Sequence, residues 1–173
     1  MPRLPMLSPE NEPPEMKAVF DQLRVGRGRV PAMYRTLAHH PGVLNAHRAY
    51  FHAALEVGSV PRALKEQIVY KVSQLRGNRY SMASHRPLAL SNGVTEERLA
   101  AIERSDYSSL PASEAAALRF AEAMTIERGK VPDALLDDLR AHFSTEEIIE
   151  ISAITGLVDY ASTLQCVFGL EVE

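Results

Sequence analysis

Thiols are scarce in this 173-residue chain: it has one cysteine, Cys166. A lone thiol cannot close an internal disulfide, so the fold must hold without covalent staples. Long apolar runs are missing as well. No stretch reaches the ~18 consecutive apolar residues of a membrane span, and no apolar segment follows a basic start, so no secretion signal and no membrane partner are expected. Basic blocks are absent. Lys and Arg number 19 against 22 Asp and Glu, a net charge of −3, and nucleic-acid binding is not expected without clustered cations to neutralise phosphates. Together these absences predict a cytoplasmic protein. Gly26-x-Gly28 has no following P-loop lysine and no preceding strand, which argues against a phosphate loop. Short-period repeats and strand-like alternation are also missing.

What remains is ordinary for a globular protein: 46% apolar and 24% charged residues, in a length that suits one domain. Residues 1–14 contain five prolines, Pro2, Pro5, Pro9, Pro13 and Pro14. Proline lacks an amide donor and restricts its predecessor, so these residues predict an extended arm lying across the body or a neighbouring subunit. Residues 15–173 predict a single all-α domain, a helical bundle of about nine helices. Apolar spacing places helices over 15–23, 32–38 and 43–57, with Gly26 and Gly28 as breakers. Ser59 is the expected N-cap of the next helix, whose buried stripe is Leu64, Ile68, Val72 and Leu75 and where Glu66 falls at the boundary. Pro87 complicates the helix that starts at Asn78. Either one kinked helix runs through it, the preferred reading, or a new helix begins near Ser84. Thr95 caps a short helix, 113–124 and 132–142 are helical, and Ser144-Thr-Glu-Glu147 is a capping box opening the longest helix, over about 145–167.

The stretch from Glu66 to His85 concentrates the chemistry. Ser81 and His85 lie four apart on one helix face, and Glu66 meets them if its helix packs alongside. A carboxylate next to an imidazole fixes its tautomer, and such a pair supplies a general acid or base. Ser81 with His85 as base and Glu66 as orienter would make a nucleophilic triad, although no Gly-x-Ser-x-Gly elbow surrounds Ser81. Each residue also has a plainer role. Asn78 and Ser81 can bond free amides at a helix start, His85 can bridge two helices, and Glu66 can pair with Arg79 or Arg86. Tyr70 and Tyr80 flank the site as candidate ligand contacts or as core tyrosines.

The same residues carry a family resemblance. Glu66, Asn78, Ser81 and His85, the continuation Leu-Ala-Leu-Ser-Asn-Gly-Val-Thr-Glu-Glu at 88–97, the opening Pro-Arg-Leu-Pro, His40-Pro41 and the tail from Phe143 resemble the AhpD-like / carboxymuconolactone decarboxylase family. Its redox-active branch has a Glu, a Cys-x-x-Cys pair and a His four residues later. Glu66 and His85 fall on that Glu and His, while Asn78 and Ser81 fall on the two cysteines. The resemblance therefore implies the fold, with thiol peroxidase chemistry disfavoured because hydroxyl and amide groups cannot perform thiol exchange. It leaves acid–base work by Glu66 and His85 on a small organic substrate, as in the family's decarboxylase branch, which does not depend on the cysteine pair. The alternative is a catalytically silent relative that binds a small molecule or serves as an oligomeric structural protein. The resemblance also implies a homo-oligomer (dimer, trimer or hexamer). The catalytic candidates are Glu66, His85 and Ser81, and the substrate-binding candidates are Asn78, Tyr80 and Tyr70.

No cofactor is expected, and no metal. His47 and His52 are five apart rather than the i, i+4 of helical ligands, and Glu56 is the one carboxylate near the cluster of His39, His40, His47 and His52. His47 or His52 can instead line the pocket of His85. Cys166, between Leu164 and Phe168, reads as a buried inert thiol, with a one-cysteine peroxidase as the minor alternative.

Overall fold

The computed structural model describes residues 2–171, except for the side chains at positions 9, 26 and 27. Among these residues it has nine α-helices and no strand. The helices are α1 (Lys17–Arg27), α2 (Ala32–Leu37), α3 (Pro41–Phe51), α4 (Arg62–Leu75), α5 (Arg79–Ser91), α6 (Glu96–Glu103), α7 (Ala112–Ile126), α8 (Asp133–Arg140) and α9 (Thr145–Phe168). A π turn, His52–Glu56, extends α3.

Helix α4 is the hub, packed against α5, α6, α7 and α9. Leu64, Ile68 and Val72 are buried as the apolar stripe requires, while Leu75, at the helix end, is only half-buried. Burial does not stop at the stripe, however: every residue from Leu64 to Ser73 is buried, including Lys65, Glu66, Gln67 and Lys71. Glu66, expected at a boundary, is fully enclosed. A helix surrounded on all sides can keep polar residues only if its neighbours satisfy them. Lys65 pairs with Glu150 of α9, and Gln67 Nε2 donates to Glu114. Lys71 Nζ donates to Ser105 Oγ at 2.8 Å and to the Ile102 carbonyl at 3.2 Å. Burial lowers the Lys71 pKa, and Glu122 nearby offsets part of that.

Several boundaries differ from the sequence reading, each for a local reason. Gly26 lies inside α1, and Gly28, at φ +72°, closes the helix by donating to the Arg24 carbonyl. Ser59 is not a cap: Pro61 occupies the N-cap of α4, and the Ser59 amide donates to Glu150 instead. Helix α5 runs unbroken through Pro87. The carbonyl that proline deprives of a donor belongs to Ala83, which is exposed, so water can satisfy it. The Thr95 cap and the Ser144–Glu147 capping box form as expected.

The proline-rich arm makes two short 3₁₀ turns, Pro9–Asn11 and Pro14–Met16, and lies along its own chain. The Arg3 amide donates to the Phe168 carbonyl at 2.7 Å and the Leu7 amide to the Arg35 carbonyl at 3.1 Å. Met6 and Leu7 pack on a smaller apolar cluster that includes Met16, Phe20 and Leu44. Helix α9 is long and apolar enough to cross a membrane by length and composition alone. Its Ile151, Ile154 and Leu157 are instead part of the main core.

Candidate active site

Helices α4 and α5 form an antiparallel-style pair joined by the short turn at Gly77, and this brings Glu66 against His85. His85 Nδ1 lies 2.9 Å from Glu66 Oε2. An ionised carboxylate only accepts, so Nδ1 carries the hydrogen and Nε2 is the nitrogen left for a ligand. Arg62, one turn before Glu66, places Nη2 2.6 Å from Oε1. Oε1 has no directed hydrogen bond, so the guanidinium approaches off its N–H axis and acts as an ion pair. Burial pushes the Glu66 carboxyl up. The hydrogen bond and charge of His85, then the charge of Arg62, outweigh it, and the pKa is lowered. The carboxylate is therefore charged at neutral pH despite its enclosure. The plainer reading of Glu66 named Arg79 or Arg86 as partner; Arg86 pairs with Glu96 instead. Arg62 was missed, although its i, i+4 spacing to Glu66 is the usual helical ion-pair signal.

His85 and Arg62 open on a cavity of about 540 Å³ whose lining also includes His47, Phe51, Tyr80 and Ser81. Glu66 is outside the lining, behind the two residues it holds. The volume suits a small organic ligand. His52 is outside that lining: it pairs with Glu56 on the exposed side of the π turn. Among the described residues, no three His, Cys, Asp or Glu side chains are grouped to hold a metal.

The other candidates separate. Ser81 is in the lining, but its Oγ lies 2.7 Å from Ser73 Oγ. Ser73 Oγ is also 2.7 Å from the Val69 carbonyl. A hydroxyl has one hydrogen, so the consistent order is Ser81 to Ser73 to Val69, which turns the Ser81 proton away from His85. The triad reading thus loses its nucleophile–base link. Asn78 is the N-cap of α5: its Oδ1 accepts from the Ser81 amide at 3.1 Å and its Nδ2 donates to Gln165 at 2.6 Å. Asn78→Ala is expected to cost about 1 kcal/mol in denaturant unfolding and to leave ligand binding in the cavity intact. Tyr70 does not reach the cavity. Its hydroxyl donates to Glu103, and burial together with that carboxylate pushes its pKa up to about 12. Tyr80 lines the cavity. Cys166, expected to be buried, is exposed, because it falls on the solvent side of the last turns of α9.

An all-helical protein with an enclosed carboxylate held against an imidazole that lines a cavity is the class these features define. The chain belongs to the carboxymuconolactone decarboxylase family, whose model matches residues 41–123, the span that includes the Glu66–His85 stretch. It is 30% identical over 115 residues to the uncharacterized protein YdfG of Bacillus subtilis (strain 168), covering 64% of this chain and 77% of that one. An uncharacterized peroxidase-related protein with an AhpD core from Ralstonia eutropha JMP134 superposes with a TM-score of 0.88 at 22% identity, over 99% of this chain and 92% of that one. A variant of the debrominase Bmp8 in complex with 2,3,4-tribromopyrrole superposes with a TM-score of 0.85 at 22% identity, over 99% and 91%.

Proposed function

We propose that this protein binds a small, mostly apolar ring compound in the cavity and transfers a proton to or from it through His85, oriented by Glu66. One observation carries the reading: a fully enclosed Glu66, charged by its partners, holds Nδ1 of an imidazole whose ring lines a cavity of ligand size. In the neutral ring Nε2 is a base. It can take a proton from an acidic C–H of the bound molecule and return it, or a solvent proton, to the same carbon. The ligand bound by Bmp8, a brominated pyrrole, suggests the ligand class, and the family name suggests carboxylated lactones.

The test is hydrogen–deuterium exchange at ring carbons of a bromopyrrole and of a carboxylated lactone in D₂O, followed by proton NMR. Wild type is expected to exchange at least one of them well above the buffer rate. Buffer rates for both overturn the proton-transfer reading.

A second reading, a relative that binds without chemistry, is favoured by the commitment of Asn78 and Ser81 to the start of α5. In that case both compounds bind and neither exchanges. One-cysteine peroxidase chemistry is set apart by location, since Cys166 is outside the lining of the His85 cavity. Peroxide consumption with a dithiol reductant is expected to be the same for wild type and Cys166→Ser. A clear loss in the variant makes Cys166 the reactive group.

A further inference from the structure

We infer that His47 is a second polar contact of the His85 cavity, a hydrogen-bond acceptor that selects planar ring ligands bearing one weakly acidic O–H or N–H. The inference rests on the proposed reading of the cavity as a small-ring site. His47 sits on α3 and is 6% exposed. Aromatic neighbours surround its ring: Tyr34 edge-on with centroids 5.7 Å apart, Tyr160 at 6.0 Å and Phe51 at 6.5 Å. Nδ1 is buried with no hydrogen-bond partner, and the residue lines the cavity.

Buried polar atoms are nearly always paired, and each exception needs a reason. His85, on the same cavity, shows the usual solution: a carboxylate behind the ring. The ring contacts of His47 are aromatic instead, to Tyr34, Phe51 and Tyr160. Burial lowers its pKa, so the neutral ring offers one donor and one acceptor nitrogen. A half-turn about Cβ–Cγ exchanges the two ring edges within the same volume, so either edge can be turned to the cavity. A ligand group that donates to the ring supplies the bond that no protein group provides. A weakly acidic phenol O–H or pyrrole N–H suits a neutral imidazole acceptor, and the aromatic surround suits the flat ring that carries it.

The probes are 4-bromophenol and 4-bromotoluene, near-equal in shape and differing in the hydroxyl, titrated calorimetrically into the full-length protein. Wild type is expected to bind the phenol about tenfold more tightly, the scale of one net hydrogen bond. His47→Phe keeps the ring packing and is expected to lose that preference while binding the toluene as before. His47→Gln, which retains an acceptor, keeps part of it, and a preference persists in His85→Ala. Circular dichroism verifies that each variant is folded. Equal binding of both probes by wild type overturns the role of His47 and leaves the proposed function standing. A preference that survives in His47→Phe, or that disappears only in His85→Ala, also overturns it. No binding of either probe overturns both the inference and the small-ring reading of the cavity.

Discussion

Glu150→Ala is expected to destabilise the protein by about 3–5 kcal/mol, the cost of removing one partner from a buried ion pair. Glu150 is nearly buried on α9, and Lys65, its partner on α4, is 3% exposed. The carboxylate also accepts the Ser59 and Val60 amides, at 3.0 and 3.2 Å. Lys65 Nζ donates back to the Ala54 and Val57 carbonyls. The whole 54–60 connection is thus folded around one charge pair. Without Glu150 the lysine stays enclosed with carbonyls alone, and two amides lose their acceptor. For a chain of this length the melting temperature should fall by roughly 6–20 °C. Gly58→Ala probes the same joint: Gly58 has φ +98°, and a Cβ there would overlap the Glu150 carboxylate. Replacing both charges, as in Lys65→Met with Glu150→Leu, should recover only the part of the loss that comes from the stranded lysine charge, because the Ser59 and Val60 amides still lack their acceptor. A loss below about 1 kcal/mol in Glu150→Ala would show that the pair is solvated in practice.

This joint also marks the limit of what the sequence made legible. The helix count, the capping box at Ser144 and the Thr95 cap were readable because they rest on local chemistry within one turn. The Glu66–His85 contact was readable because two consecutive helices joined by a short turn must pack side by side. The surroundings of α4 were not. An apolar stripe predicts one buried face, whereas enclosure by α5, α6, α7 and α9 buries every face, and the polar residues are satisfied by partners such as Glu114 and Glu150, 47 and 85 positions from theirs. Separations of that size leave no periodic trace. Ser59 illustrates the same point: its residue type suits a cap, but a distant carboxylate claims its amide. Cys166 was misplaced because apolar neighbours in sequence, Leu164 and Phe168, lie partly buried while the thiol between them faces out.

His85→Ala is expected to slow ring-proton exchange by about 10²–10⁴-fold, the usual contribution of a positioned acid–base group. Glu66→Gln should slow it by about 10²-fold, through orientation rather than proton transfer, because the amide no longer enforces a hydrogen on Nδ1 and can itself donate to that nitrogen. Ligand affinity should change little in Glu66→Gln, since Glu66 is outside the cavity lining. A rate loss with affinity retained therefore identifies an orienting role, and a parallel loss of both would mean that the cavity has collapsed. The carboxylate adds a pH signature to stability. Its folded pKa lies below 4.5, so its stabilising contribution is complete above about that pH and is lost as pH falls through the folded value. Glu66→Gln should accordingly flatten the decline in stability below pH 4.5. Denaturant midpoints of both proteins between pH 3 and 7 measure this directly. If the two curves stay parallel down to pH 3, Glu66 is not the charged partner that holds the imidazole.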